Sequence, residues 1–403
     1  MNAARTLRCA LALAGLALAA LPASAQFRDD FDGPLRLDPE GINGWSFFTG
    51  EGRAVMDLKQ GPGYASIIVD ATKDTRGVWW ALIKRRVSAA LDLSKLKDPA
   101  YSLRVEARIR VSEAPRRVNL HVNTQRTTDF HSHLMEYDIP DTNTWHTISM
   151  TTHGFDAGPG DAVNAQMALM DWGLGRYQVD IDYYEADIVK AAEAGPDLGD
   201  PIPYHPPVPD PASFREAVPA LEAGMIDLEN PGVNFDTWGA AEDAAGEGRI
   251  GLLTASGSQV VILRWDLSAF AGRSLPGPGL LEMTTYSVAE LGRKLPDFGE
   301  ARVVEIVGGD PAWRRETVTA ESLRRGLPLD KVILPQMIID WPVAEGRGAR
   351  TYFVISRPAL KRLIDGKSLG IAIKPLGALG ASFFADADVK NTNTPRLLFN
   401  IGR

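Results

Sequence analysis

Five of the six histidines, His121, His131, His133, His146 and His153, fall within 33 residues of one another, and only His205 lies elsewhere. Near neutral pH histidine both carries protons and ligates metals. Asn119, Asn123, Arg126 and Tyr137 lie in the same stretch. Together these residue types contain the parts of a β-elimination on a uronic-acid polysaccharide. Amide, imidazole and guanidinium donors neutralise the uronate carboxylate and so acidify the neighbouring C–H. A His or Tyr then removes that proton, and another protonates the leaving oxygen. On this reading His131, His133, Tyr137 and His121 are the acid–base candidates, and Asn119, Asn123, Arg126, His146 and Trp172 hold the substrate. The same residues equally describe a surface that binds an acidic polysaccharide without chemistry.

Other chemistries have weaker footing. His131-x-His133 with His121 could form a three-histidine metal set, but the Gly-rich spacing and downstream His of small-barrel oxidases are missing. Asp29, Asp30, Asp32, Asp180 and Asp182 could supply hard oxygens to a structural Ca²⁺ if the first and last strands of their domain adjoin. No other cofactor is called for. Glu136 and Asp138 flank Tyr137, yet no carboxylate pair stands out for glycoside hydrolysis. GxSxG, GxxxxGK[ST] and a GxGxxG following a strand are all absent.

The elements that must position these residues read as β-strands. In Tyr101–Val111 apolar Leu103, Val105, Ala107, Ile109 and Val111 alternate with Arg104, Glu106, Arg108 and Arg110. Val118, Leu120 and Val122 alternate in the same way with Asn119, His121 and Asn123. A strand over His131–Ile139 would put His131, His133, Met135 and Tyr137 on one face. If it neighbours the 118–123 strand, an Asn/His/Tyr patch forms, which Arg126 and His146 can reach. Further strands are expected at Ala65–Ala71, Val78–Lys84, His146–Thr152, Asn164–Met170 and Tyr177–Val189. In the second half they are expected at Val260–Asp266, Leu280–Val288, Ala301–Val307, Arg350–Ser356, Ser368–Pro375, Ser382–Ala385 and Arg396–Ile401. Short helices fit Thr319–Arg325 and Arg357–Asp365, the latter capped by Ser356 with Pro358 in its first turn. Of Trp79 and Trp80, one should face the core and one outward.

Strands punctuated by 38 Gly and 27 Pro in 403 residues favour an all-β fold over a helical bundle. Eight prolines between Pro196 and Pro219 read as a stiff linker over residues 191–219. It separates a β-sandwich over 26–190, which holds the candidate site, from a second over 220–403, each long enough for its own core. Residues 1–25 read as an export signal. Arg5 and Arg8 precede an apolar run from Cys9 to Leu21, and Ala23-Ser24-Ala25 is a small-residue cleavage site. The expected location is therefore periplasmic or extracellular. Cys9 is the single cysteine, so the cleaved chain would carry no thiol chemistry. A formal net charge of −8 argues against a nucleic-acid partner, and no later run is apolar enough to span a bilayer.

The segment Val260–Ser268, VVILRWDLS, resembles the "llkFDLS" strand of DNRLRE-type carbohydrate-binding modules. Thr351–Ser356, Leu369–Ile373, Ser382–Ala385 and Thr394-Pro395-Arg396-Leu397 continue that resemblance over roughly residues 226–403. It implies a jelly-roll sandwich in contact with polysaccharide. Phe383-Phe384-Ala385-Asp386 stands where that family has its Ser–Arg–Glu, so no binding residue is carried over. Phe27–Gly33 is similar to the entry strand of secreted sugar-binding jelly rolls and laminin-G-like sandwiches, and Val179–Tyr184 to the closing strand beside it. The reading is a secreted pair of jelly-roll-type sandwiches. It is either a polysaccharide lyase or a non-catalytic polysaccharide-binding protein; an envelope protein whose sandwiches contact other proteins is a third reading.

Overall fold

A computed structural model describes residues 27–50, 53–73, 79–171, 175–236, 240–242, 249–290, 299–385 and 393–402. The export signal and Trp172 lie outside the described residues. The fold is all-β with short helical turns, and among the described residues the strands pair antiparallel, apart from two isolated parallel bridges, Leu37 with Trp45 and Val111 with Thr142.

Two six-stranded sheets form the first sandwich. One runs Val55–Gly61, Tyr64–Asp70, Arg176–Lys190, Tyr101–Val111, His146–Thr151, with Phe27–Asp29 added beside Arg176–Lys190. The other runs Ile202–Pro203, Leu134–Ile139, Arg116–Asn123, Asn164–Asp171, Trp79–Arg86, Ser46–Thr49. Alternation makes each sheet apolar on its inner face. Leu103, Val105, Ala107 and Ile109 of the first sheet share a core with Ile83, Val118, Leu120, Val122 and Met167 of the second. Trp45 closes one end, its indole N–H donating to Asp29 at 2.8 Å.

The second sandwich is built on the long strand Gly279–Glu290. Its first part pairs with Arg350–Ile355 and Arg396–Phe399, its second with Leu379–Phe384. A register shift between Thr285 and Ser287 lets the strand pass from one layer to the other. Phe353, Phe383 and Phe399 lie in the core between the layers. A smaller cluster of Ile262, Val304, Trp313, Leu323 and Ala372 covers part of the outer face. Above it Ala320–Arg324 is a one-turn helix with a reciprocal capping box between Thr319 and Ser322. Helix Arg357–Ile364 begins as expected with proline in its first turn, but Ser356 makes no side-chain cap bond. Its hydroxyl is buried instead.

The proline-rich stretch is extended, and it is stitched into both sandwiches rather than hanging between them. Ile202–Pro203 pairs with Leu134–Ile139, and Glu216–Pro219 pairs with Arg396–Phe399. Both are edge positions, where a residue without an N–H costs the ladder little.

Candidate functional site

Register fixes which side chains meet, because residues directly opposite in antiparallel strands share a face. On the second sheet Val118 lies opposite Tyr137, and Leu120 opposite Met135. These point into the core. Asn119 lies opposite Glu136 and Ala168, and His121 opposite Leu134 and Gln166. Gln166 lies opposite Lys84, which lies opposite Ser46. These line the outer face.

Several expected site residues therefore take other places. The strand starts at Leu134, so His131 and His133 sit in the preceding turn, not on the sheet. Tyr137 points inward and is fully buried, its hydroxyl donating to the Ser149 carbonyl at 2.7 Å. Burial pushes its phenol far above the ordinary range. The Asn/His/Tyr patch thus loses its tyrosine, the one residue that opposite parity removes. The His131 ring stacks on Tyr204 at 4.1 Å, and His133 meets Phe155 edge to face at 5.0 Å. Arg126 is held by Asp156 at 2.7 Å and Asp161 at 2.8 Å. His146 belongs to the other sheet, opposite Ile109.

The expected calcium site also disperses. The first and last strands do adjoin, with Asp29 opposite Tyr184. However, Arg28 binds Asp30 at 2.7 Å, Arg110 binds Asp180 at 2.7 Å and Arg108 binds Asp182 at 2.9 Å, while Asp32 is exposed. Among the described residues no three His, Cys, Asp or Glu side chains group as metal ligands, the His121/His131/His133 set included.

What the outer face does assemble is a polar floor between aromatic rims. Asn119, His121 and Gln166 are all buried, and both amide atoms of Asn119, Nε2 of His121 and Nε2 of Gln166 have no protein hydrogen-bond partner. Asn123 accepts a bond from the Asn164 amide at 3.1 Å. Burial, with His131 and His133 nearby, pulls the His121 imidazole down to about 4, so it is neutral at physiological pH. At one edge of the sheet Phe48 and Trp80 meet edge to face at 5.5 Å, both with about a third or more of their surface exposed. Lys84 reaches over the Phe48 ring. Beside His121 stands Phe130, ring centroids 6.3 Å apart, also exposed. Beyond the opposite edge lies Tyr204, stacked on His131.

At that opposite edge the second sandwich closes over the face. Arg117 pairs with Glu136, and its backbone N–H donates to Gln336. Arg362 bridges Asp138 and Glu305, each at 2.6 Å. Arg357 binds Asp200 at 2.7 Å. Between the two sandwiches lies a cavity of about 470 Å³, lined by Glu136, the linker from Asp200 to Pro209, Glu300, Met337–Asp340 and Pro358. Neither Glu136, Asp138 nor the strand Ile333–Trp341 that completes this junction was legible as a site. The signal available in the sequence was only two acids on a strand whose parity is ambiguous.

No family model and no curated protein matches the chain. Solved structures to which it is similar include a CBM4 structure, at 17% identity over 39% of this chain and 96% of that chain, TM-score 0.29. A family 11 carbohydrate-binding module from Clostridium thermocellum gives 16% identity over 39% and 92%, TM-score 0.25. The CBM22-1 xylan-binding domain of Paenibacillus barcinonensis Xyn10C gives 11% over 41% and 96%, TM-score 0.26. These similarities are too low to carry a function across.

Proposed function

We propose that this is an exported glycan-binding protein whose first sandwich holds a saccharide on the polar floor of its second sheet. The carrying observation is the row of buried, unpartnered Asn119, His121 and Gln166 atoms between the exposed rings of Phe48, Trp80 and Phe130. Buried amides without partners are costly, and sugar hydroxyls both donate to and accept from them. Aromatic rings stack on the apolar C–H faces of pyranoses.

Binding fits this geometry better than β-elimination. Tyr137 is in the core, His131 and His133 are off the sheet, and Arg117 and Arg126 are engaged by protein carboxylates. Two basic side chains stand along this face, Lys84 opposite Gln166 and Arg86 opposite Asn164, beside an uncharged floor of amides and imidazole, so the glycan is read as neutral or carrying few carboxylates. The second sandwich, with its DNRLRE-like strands, buttresses the first and orients it.

The test is affinity electrophoresis of the protein against a panel of neutral and uronic-acid polysaccharides, with ultraviolet absorbance followed for unsaturated products. Retardation by a neutral glycan is expected, weakened at least about tenfold, roughly 1.4 kcal/mol, by Trp80→Ala or Gln166→Ala. Absorbance that rises on a uronic-acid polymer would restore the lyase reading. Retardation untouched by either variant would remove the floor as the binding site.

A further inference from the structure

We infer that a run of ring contacts, carried by the proline-rich stretch, holds the Phe130 wall of the polar floor in place and makes Tyr204 a positioning residue for glycan binding. This rests on the floor reading proposed above and adds to it a residue that acts from beyond the edge of the sheet. The rings follow one another from the second sandwich to the first. Trp341, at the end of strand Ile333–Trp341, lies 6.0 Å from His205. His205 meets Tyr204 at 4.3 Å, nearly perpendicular. Tyr204 lies flat on His131 at 4.1 Å, the planes 13° apart. Phe130, the residue before His131, meets His121 of the floor at 6.3 Å.

Sequence and register explain why the strap can do this. Antiparallel pairing sets Ile202 opposite Glu136 and Pro203 opposite Met135. The next residue, Tyr204, thus comes level with Leu134, where the turn over 130–133 ends and the strand begins. Pro203 and Pro206 fix their own φ, and each pushes the residue before it towards extended backbone. Tyr204 and His205 are held between them on a stiff segment. The turn is braced from within: the Asp129 carboxylate accepts from the His131 N–H at 2.9 Å, and the Asp129 carbonyl accepts from the Ser132 hydroxyl at 2.9 Å. One end is tied to the neighbouring strand, where the His133 carbonyl accepts from the Val122 N–H at 3.1 Å. Phe130 stands at the other end, 54% exposed. A ring so open to water gains little from burial, so its place over the floor depends on the residue beside it, which the Tyr204 stack fixes.

The experiment has one arm that needs no glycan. Native-state hydrogen exchange is followed at the bonded amides of His131, Ser132 and Leu134 in the whole protein. Tyr204→Ala should speed it about three- to tenfold, the loss of one stacked pair, while Tyr204→Phe, which keeps the ring, should leave the wild-type rate. His205→Ala should act with the same sign and smaller amplitude. Unchanged exchange in Tyr204→Ala would overturn the inference. The second arm is calorimetric titration with cellohexaose, xylohexaose and mannohexaose. For a hexasaccharide that the wild type binds, Tyr204→Ala should weaken affinity about three- to tenfold, and in the Phe130→Ala background it should cost nothing further. Equal losses in both backgrounds would mean that Tyr204 touches the sugar or supports the fold directly, and would overturn the positioning role. A wild type that binds none of the three would overturn the role in binding, even with the turn loosened in Tyr204→Ala. Gln166→Ala should weaken affinity without changing exchange in the turn. Failure of the floor reading, an affinity that Gln166→Ala leaves untouched, is therefore a different result from failure of this one, a turn that Tyr204→Ala leaves untouched.

Discussion

The two edges of one sheet have the same alternation and opposite fates. Along Leu134–Ile139 the outward residues Glu136 and Asp138 meet guanidinium groups, Arg117 from the neighbouring strand and Arg362 from the second sandwich. Along Trp79–Arg86 the outward residues Trp80 and Lys84 meet Phe48 and remain partly open. Between them Asn119, His121 and Gln166 are buried without protein partners for several of their polar atoms. Outward polarity on a strand is therefore not itself a functional signal. What separates structure from binding is whether another element supplies the complementary group.

The junction edge gives the strongest way to break this comparison. Arg362 is buried between Asp138 and Glu305 and touches both at 2.6 Å. Arg362→Ala would strand two buried carboxylates, and removing one partner of a buried ion pair typically costs about 3–5 kcal/mol. Urea unfolding should show that loss, and replacing Arg362, Asp138 and Glu305 together by apolar residues should recover much of it. A cost below about 1 kcal/mol, the level of an exposed pair, would mean the two sandwiches are not locked here.

The floor should respond to acid instead. His121 is held neutral, with its pKa at about 4 against an ordinary 6.5. The folded state therefore binds this proton less readily than the unfolded chain. The contribution to stability is fully present above pH 6.5 and is lost as pH falls toward 4. The two pKa values bound the loss at about 3 kcal/mol. His121→Gln should flatten the dependence of unfolding free energy on pH across that window. His133, also lowered by burial, would leave a smaller slope. An unchanged slope in His121→Gln would mean that the imidazole is not buried as described.

How much of this could be read from sequence follows from the same contrast. Period-two alternation placed Val118, Leu120 and Val122 on one side of their strand and Asn119, His121 and Asn123 on the other, and only the first three join the core between the sheets. It could do so because every second residue in that run is unambiguously apolar. The run from Phe130 to Ile139 lacks that regularity, so the strand was expected to begin at His131 when its first residue is Leu134. The side chain of Tyr137 is then assigned to the wrong face. Asp138 and Arg362, which meet across the junction, were out of reach for a different reason. Their roles depend on how two separate sandwiches dock, which local pattern does not encode. The calcium set failed similarly: strand adjacency was legible, but the arginines that neutralise Asp180 and Asp182 lie on the neighbouring strand Tyr101–Val111.

Tyr137 supplies the smallest and sharpest test. Its hydroxyl makes one hydrogen bond, to the Ser149 carbonyl, inside a fully buried core. Tyr137→Phe keeps the ring and deletes that bond, which is worth about 0.5–1.5 kcal/mol net. The expected result is a small shift in urea midpoint with unchanged slope, since the surface exposed on unfolding hardly changes. Glycan affinity should stay at the wild-type value, because the ring lies across the sheet from Asn119 and Gln166. A residue that moved protons for a bound sugar would behave in the reverse way, with stability held and function lost. Wild-type stability together with lost glycan interaction would put Tyr137 on the outer face, and the division of this sheet into core, floor and junction would have to be redrawn from its register.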